Sequence, residues 1–167
     1  MSLGRKLFGG AVGLAITFAT GCATVADSDI DRLLKRIKLP PGFQISLFAR
    51  VPRARTMAIA EPLGAIFVGS RGYSVHLVLD KDNDGVAEQV IKKSDRLKAP
   101  NGLAHDGKHL YVAEQHRIVR WAPPSASDPN QPFDPWLKPI MTELPDKGHH
   151  GWRYAAFGPD RKLYVSI

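Results

Sequence analysis

Short runs of alternating or β-branched apolar residues dominate the chain from Phe43 onward, and Gly, Pro, Asp or Asn separate them. Runs of this kind predict β-strands joined by tight turns. Strands are expected at Gln44–Ala49, Thr56–Ala60, Ala65–Ser70, Ser74–Leu79, Glu88–Ile91, His109–Ala113 and Ile118–Trp121. The pattern therefore predicts an all-β fold class for this part of the chain.

In the segment before these strands, the apolar residues recur at the spacing of an α-helix. Asp27–Lys38 predicts a short amphipathic helix, with Asp27 or Ser28 as its cap and Pro40-Pro41-Gly42 as its end. The apolar residues of its one face are Ile30, Leu33, Leu34 and Ile37.

One pattern occurs three times, as AEPLGAIFVGS at Ala60–Ser70, AHDGKHLYVAE at Ala104–Glu114 and FGPDRKLYVSI at Phe157–Ile167. Each copy has a turn followed by a Phe/Tyr-Val strand, and the valines (Val68, Val112 and Val165) recur roughly every 50 residues, as in propeller blades. We predict a partial β-propeller of about two and a half blades, where a closed propeller has about four or more. The chain is thus expected to be the N-terminal piece of a longer protein.

Residues 1–22 have the pattern of a targeting segment. Arg5 and Lys6 precede the apolar run Leu7–Thr20, which is short for a membrane span and typical of a secretory signal. The run ends Ala19-Thr20-Gly21-Cys22, which is similar to a bacterial lipobox and predicts lipidation of Cys22. The alternative is cleavage after Ala26, which would release a soluble periplasmic protein.

The net charge of +7 falls to +5 without residues 1–22, which hold two basic residues and no acids. The remaining excess is scattered, as at Lys35, Arg50, Arg53 and Arg55, and is interpreted as solvated surface. No stretch resembles a groove-reading helix or a base-stacking platform, so nucleic acid is not an expected partner.

Asp80-Lys81-Asp82-Asn83-Asp84-Gly85 matches the first half of a calcium-binding loop, with carboxylates of Asp80, Asp82 and Asp84 at alternate positions. The twelfth position, where an EF-hand has a bidentate Glu, is Ile91, and strands flank the loop. The loop is therefore not an EF-hand. It is either an acidic hairpin turn, which favours the same residues, or a weak structural calcium site.

The paired histidines His149 and His150 are the sharpest candidate site. Imidazole can accept a proton near neutral pH, and the pair precedes a predicted strand, where propellers place ligand-binding groups around a central channel. The other histidines show no zinc-ligand spacing. Asn101 either belongs to a tight Asn-Gly turn or presents its amide at the channel mouth.

The aromatic residues are interpreted mainly as packing groups. Tyr111, Trp121 and Trp152 are expected to pack within blades rather than form a binding box. Ala122–Leu137 is rich in Pro, Ser, Asp and Asn and predicts a long inter-strand loop that Phe133 and Trp136 hold against the sheets.

Three segments resemble the soluble quinoprotein glucose/sorbosone dehydrogenases, most closely the sorbosone dehydrogenase branch. They are LPPGFQISLFA (Leu39–Ala49), APNGLAHDGKHLYVAEQHRIVRW (Ala99–Trp121) and LPDKGHHGWRYAAFGPDRKLYV (Leu144–Val165). The combination of HHGW with FGPD is the most specific part, because other propeller families share only the looser NGLA and LYV pattern.

The resemblance implies a six-bladed propeller that holds pyrroloquinoline quinone (PQQ) with the help of calcium and oxidises a sugar C1 hydroxyl or hydrated aldehyde. It implies that His150 is the general base, with Asn101 and His149 as candidate substrate contacts. Where the glucose-oxidising branch has an acidic residue and a glutamine, this chain has His149 and Pro100, so a different sugar or sugar aldehyde is expected. The main PQQ and calcium ligands are expected beyond Ile167, so the chain alone is expected to be inactive.

These inferences predict three parts: a signal segment at 1–22, a linker with a short helix at 23–38, and an incomplete propeller domain at 39–167. The expected partners are a sugar, a periplasmic or membrane electron acceptor, and the membrane through a lipid on Cys22. The expected location is the periplasm or outer membrane. Two alternatives remain: a non-enzymatic propeller lipoprotein that binds a glycan or protein, and a lactonase-like, metal-dependent hydrolase.

Overall fold

The computed structural model describes residues 27–122 and 128–167, in two units, Met1–Phe43 and Gln44–Ile167. The predicted signal segment, with Cys22 and Ala26, lies outside the described residues. In the first unit, helix α1 spans Asp27–Leu34. It is shorter than predicted, because the next amides, of Arg36 and Ile37, bond to carbonyls three residues back and tighten the last turn. No helix in the described part of the chain is long and apolar enough to cross a membrane.

The second unit consists mainly of antiparallel β-sheet, which confirms the predicted β-rich composition. Its strands are β1 Ala54–Ala60, β2 Ala65–Ser70, β3 Val75–Leu79, β4 Gln89–Ser94, β5 Gly102–His105, β6 Leu110–Ala113, β7 Ile118–Trp121, β8 Leu137–Met141, β9 Ala155–Phe157 and β10 Leu163–Val165.

These strands form three separate sheets, and each strand pairs only with its neighbours in the chain. The first sheet has the order β1-β2-β3-β4, the second has β5-β6-β7-β8, and β9 and β10 form a hairpin. No sheet among the described residues closes on itself. Val68, Val112 and Val165, which the sequence pattern sets at equivalent positions, each lie in the second strand of their sheet.

The first strands of the three sheets are neighbours, because β5 contacts both β1 and β9. Antiparallel pairing places the start of each first strand beside the end of the second. We call this side of the sheets the histidine edge. The segments that lie there, which include strand ends, are 53–55, 70–72, 98–101, 114–116 and 147–153. The turns between first and second strands lie at the opposite edge.

The main core lies between the first two sheets. Phe67 of β2 packs edge-on against Trp121 of β7, which stacks on Phe133 at a centroid distance of 5.4 Å. The Trp121 indole N–H donates to the Pro132 carbonyl (3.1 Å), and the Lys93 ammonium donates to the Pro129 carbonyl (2.8 Å). The loop that precedes β8 is therefore held against the sheets, as predicted from Phe133 and Trp136.

One predicted strand is wrong. Gln44–Ala49 alternates apolar and polar residues but has no strand partner, and its one backbone bond to the sheet region runs from the Ala87 amide to the Phe48 carbonyl. A strand needs a hydrogen-bonded neighbour along its length, and among the described residues this segment makes only that one bond. Asn101-Gly102 is likewise not a tight turn, because Gly102 begins β5.

Candidate functional site

His149 and His150 lie at the histidine edge, in the turn before β9. Both side chains are exposed, and their rings meet edge to face at a centroid distance of 4.3 Å. No hydrogen bond or ion pair holds either imidazole within residues 27–122 and 128–167. The pair therefore offers ring nitrogens that are free to accept a proton or a hydrogen bond from a ligand.

The backbone of His150 is unusual, because its φ of 59° lies in the left-handed region. Residues other than glycine rarely adopt this conformation, and the surrounding structure must hold it in place. Gly151 supplies part of that constraint. A Cβ atom on Gly151 would lie 2.5 Å from the Lys147 carbonyl oxygen and 2.8 Å from the Gln115 Cγ, so the chain passes too close for any side chain.

Arg153 anchors the other end of the same loop. Its side chain is 3% exposed, and its guanidinium donates to the carbonyls of Pro145 (2.6 Å) and Gln115 (3.3 and 3.4 Å). These bonds join the segment before β9 to the loop after β6. The histidine pair thus sits on a segment with buried polar anchors, although the imidazoles themselves are exposed.

Asn101, for which the sequence left open a tight turn or an amide presented at a channel mouth, is buried. It is 1% exposed, and its Nδ2 donates to the Arg153 carbonyl at 2.8 Å. Its main-chain carbonyl accepts a hydrogen bond from the Thr56 hydroxyl of β1. Its Oδ1 is buried with no protein donor among the described residues. Through one side-chain bond and one main-chain bond, Asn101 therefore connects the beginnings of the three first strands.

Three arginines gather at the same edge, around an open pocket of about 490 Å³. Arg53 and Arg55 flank the start of β1, and Arg71 follows β2. The Arg71 guanidinium lies over the Trp152 ring at 4.0 Å from its centroid, and that of Arg55 lies at 5.5 Å. Trp152 was expected to pack within a blade, but it is half-buried and contacts cations.

The predicted calcium loop lies at the opposite edge, between β3 and β4. Carboxylate oxygens of Asp80, Asp82, Asp84 and, in addition, Glu88 lie within 4.8 Å of one another and could hold a metal ion. The same carboxylates also accept backbone N–H bonds within the loop, such as Val86 N to Asp84 Oδ1 at 2.7 Å. Both sequence interpretations, acidic turn and calcium site, are compatible with this geometry.

The pKa values of Asp82 and Glu88 in this loop are shifted by neighbouring carboxylates and by backbone hydrogen bonds. The Asp84 amide, as a hydrogen-bond donor, lowers the pKa of Asp82, but desolvation and the Asp84 and Glu88 carboxylates outweigh it and raise that pKa overall. The Lys81 amide, which donates to Glu88 at 2.8 Å, holds the pKa of Glu88 below its usual value. Glu88 occupies the ninth position of the calcium-loop pattern, which often contributes a ligand through water, and it was missed because only the first half of the pattern and its twelfth position were compared.

The remaining histidines do not form a metal site in the described part of the chain, where the cluster of potential ligands contains no histidine. His76 lies inside β3, and burial lowers its pKa. Burial also lowers the pKa of His105, at the end of β5. His109 contacts the Asp106 carboxylate at 3.3 Å.

Comparison of the chain with models of protein families, with curated proteins and with solved structures finds no match.

Proposed function

We propose that the second unit is part of a six-bladed β-propeller. The support is the repetition of a four-stranded antiparallel meander, with the first strands of successive sheets side by side. This is the arrangement of propeller blades around a central channel.

The uncovered apolar residues of the outer sheets favour the same proposal. Met57 and Ile59 of β1 are 69% and 68% exposed, and Tyr164 and Ile167 at the other end are 57% and 78% exposed. Large apolar side chains grouped on the faces of sheets normally pack against a further layer. Additional blades on both sides would cover them.

We further propose that the full-length protein is a PQQ-dependent sugar dehydrogenase of the sorbosone type. The observation that carries this proposal is the exposed His150, held in a left-handed backbone conformation at the edge where the first strands begin. His150 would accept the C1 hydroxyl proton of the sugar, and His149, in contact with its ring, would orient it or contact the substrate.

The residues present fit the substrate side of such a site. The histidine edge offers exposed imidazoles and guanidinium groups, whereas the carboxylate cluster lies at the opposite edge, too distant in the topology to serve the same centre. When bound, PQQ would supply the acceptor for the hydride. We assign its main ligands, and those of the associated calcium, to segments beyond Ile167.

The location follows from the sequence alone. We propose export to the periplasm or outer membrane with a lipid anchor on Cys22. Electrons would then pass to a periplasmic or membrane acceptor. Labelling of cells with a radioactive fatty acid, with Cys22→Ser as the control, tests the anchor.

The activity is tested in the full-length protein with PQQ, calcium, an aldose and an artificial dye. We expect His150→Ala to keep bound PQQ but to lose about 10²–10⁴-fold in turnover, the usual contribution of a general base. His109→Ala, a histidine at the opposite edge, is the matched control and should retain turnover.

Normal turnover of His150→Ala would refute the assignment of the base. The absence of both PQQ absorbance and dye reduction would favour the glycan- or protein-binding lipoprotein. Hydrolysis of a lactone without quinone, lost on chelation and restored by a divalent metal, would favour the lactonase-like hydrolase.

A further inference from the structure

The pocket at the histidine edge concentrates positive charge without an acidic partner. It is lined by Arg53, Ala54, Arg55 and Arg71. None of these arginines forms an ion pair within residues 27–122 and 128–167. Like charges at this spacing repel one another, and a bound anion would relieve that repulsion.

Two of the three guanidinium groups, those of Arg71 and Arg55, lie against the ring of Trp152. Arg71 and Arg55 lie 4.0 Å and 5.5 Å from the centroid of its ring, within the range of cation–π attraction. Trp152 is itself held, because the next residue, Arg153, is buried and hydrogen-bonded to Pro145 and Gln115. These contacts reduce the freedom of the exposed Arg71 and Arg55 side chains, so less of it would be lost when a ligand binds.

The loop that carries Arg71 is also ordered by internal bonds. The Arg71 amide donates to the Arg53 carbonyl at 3.2 Å, and the Gly72 carbonyl accepts from the Ala99 amide at 2.9 Å. The Ser70 hydroxyl oxygen accepts from the amides of Gly72 and Ser74. The two segments that line the pocket are thus bonded to each other before any ligand arrives, and the loop before β5 supports the second of them.

We propose that this pocket binds the anionic substituent, a carboxylate or a phosphate, of a sugar whose reacting end lies at His150. Guanidinium groups match both anions with paired hydrogen bonds, and a volume of about 490 Å³ suits a small ligand. Trp152, which contacts Arg71 and Arg55 of the pocket, lies two residues after His150, so the segment that carries the base also borders the pocket. The inference rests on the proposed dehydrogenase function and defines its substrates as acidic sugars.

Calorimetric titration of the full-length protein at low salt tests this directly. The probes are D-glucuronate, D-glucose 6-phosphate and D-glucose. We expect at least one acidic sugar to bind at least roughly tenfold more tightly than glucose, the effect of one hydrogen bond to a charged group. The acidic sugar that binds more tightly identifies the preferred anion. Added NaCl should reduce the difference in affinity between that sugar and glucose.

Arg71→Gln should remove the preference, and Arg55→Gln serves as a second variant if the first fails to fold. The matched control is Arg161→Gln, an exposed arginine in the turn between β9 and β10, at the opposite edge. It changes the net charge equally and should leave the preference intact. Equal binding of glucose, loss of preference in Arg161→Gln, or no binding of either acidic sugar would overturn the inference.

Dye reduction with PQQ separates this inference from the proposed function. Oxidation of glucose but of neither acidic sugar would retain the dehydrogenase and reject the acidic substrate. Selective binding of an acidic sugar with no dye reduction would retain the anion pocket and reject the dehydrogenase.

Discussion

Asn101 shows how much of the second unit depends on single polar contacts. The residue is buried where the starts of β1, β5 and β9 approach one another, and it bonds to Thr56 on one side and to Arg153 on the other. Buried polar groups are costly unless they are paired. Its amide nitrogen is paired, and its Oδ1 has no donor within the described residues.

We expect Asn101→Ala to lower the free energy of unfolding of the full-length protein by about 1–3 kcal/mol, because it leaves the buried Arg153 carbonyl without its donor. Urea denaturation followed by circular dichroism measures the change. Asn130→Ala, at an exposed asparagine, is the control and should stay within about 0.5 kcal/mol of the parent chain. A parent-like stability for Asn101→Ala would contradict this structural role.

Sequence reasoning at this scale found the histidines but not their surroundings. His149 and His150 are adjacent in the chain and precede a recognisable strand. Arg53 and Arg55 were interpreted as scattered surface charge, because the pocket that they share with Arg71 and the contact of Arg55 with Trp152 join residues that are far apart in sequence. Local patterns give residue type and exposure, but they do not give contacts between different sheets.

At the scale of elements, the turn between β5 and β6 is organised by one carboxylate. Asp106 accepts hydrogen bonds from the amides of Lys108 (2.8 Å) and His109 (2.7 Å) and from the Tyr111 hydroxyl (3.0 Å). The β9–β10 turn repeats the device, since Asp160 accepts from the Lys162 amide and the Tyr164 hydroxyl. The sequence repeat is thus also a repeat of hydrogen bonds.

The bonds to Asp106 make the stability of this turn depend on pH. Desolvation raises the pKa of Asp106, but the hydrogen bonds from His109, Lys108 and Tyr111 outweigh it and lower the pKa from 3.8 to about 2. A carboxyl with a lowered folded-state pKa stabilises the fold above the unfolded value, and this contribution is lost as the pH falls from near 4 through about 2.

In the full-length protein, Asp106→Asn is therefore expected to be less stable than the parent at pH 7 and to approach it in stability as the pH falls below about 4. Urea unfolding at pH 7, 5 and 3 measures the difference. Val119→Ala, in the core and without a titratable group, should cost a similar amount at every pH. A constant deficit for Asp106→Asn across this range would contradict the expectation.

Strand prediction succeeded where the apolar pattern and the turn residues agreed. β2 and β7 have the predicted bounds, Ala65–Ser70 and Ile118–Trp121. β8 was not predicted, because Pro139 interrupts its pattern, and a proline is tolerated there because β8 is an edge strand. Gln44–Ala49 had the pattern but no partner, and the presence of a partner cannot be deduced from a single segment.

At the scale of the whole molecule, the apolar side chains exposed on the first and third sheets determine whether the chain is expected to self-associate. Met57 and Ile59 on the first sheet, and Tyr164 on the third, expose apolar surface that the proposed propeller would bury. The all-β composition could be predicted from the sequence. The number of blades and the closure of the ring could not, because they depend on contacts between sheets.

We expect the 167-residue chain by itself to self-associate or aggregate, because these faces and the strand edges remain open to pairing. Light scattering coupled to size-exclusion chromatography measures the mass, and the double substitution Met57→Lys with Ile59→Lys should reduce association. A compact monomer that melts cooperatively would contradict both this expectation and the proposed propeller.

The strictly sequential pairing of strands has a consequence for the order of events during synthesis. Every strand of the first sheet pairs with a strand that is next to it in the chain. All four strands can therefore form their hydrogen bonds as soon as residues Ala54–Ser94 have left the ribosome. Contacts between near neighbours form quickly, and domains generally fold from the N-terminal side as translation proceeds. Each finished sheet would then offer its first strand as the surface on which the next one assembles, so the molecule can grow one sheet at a time.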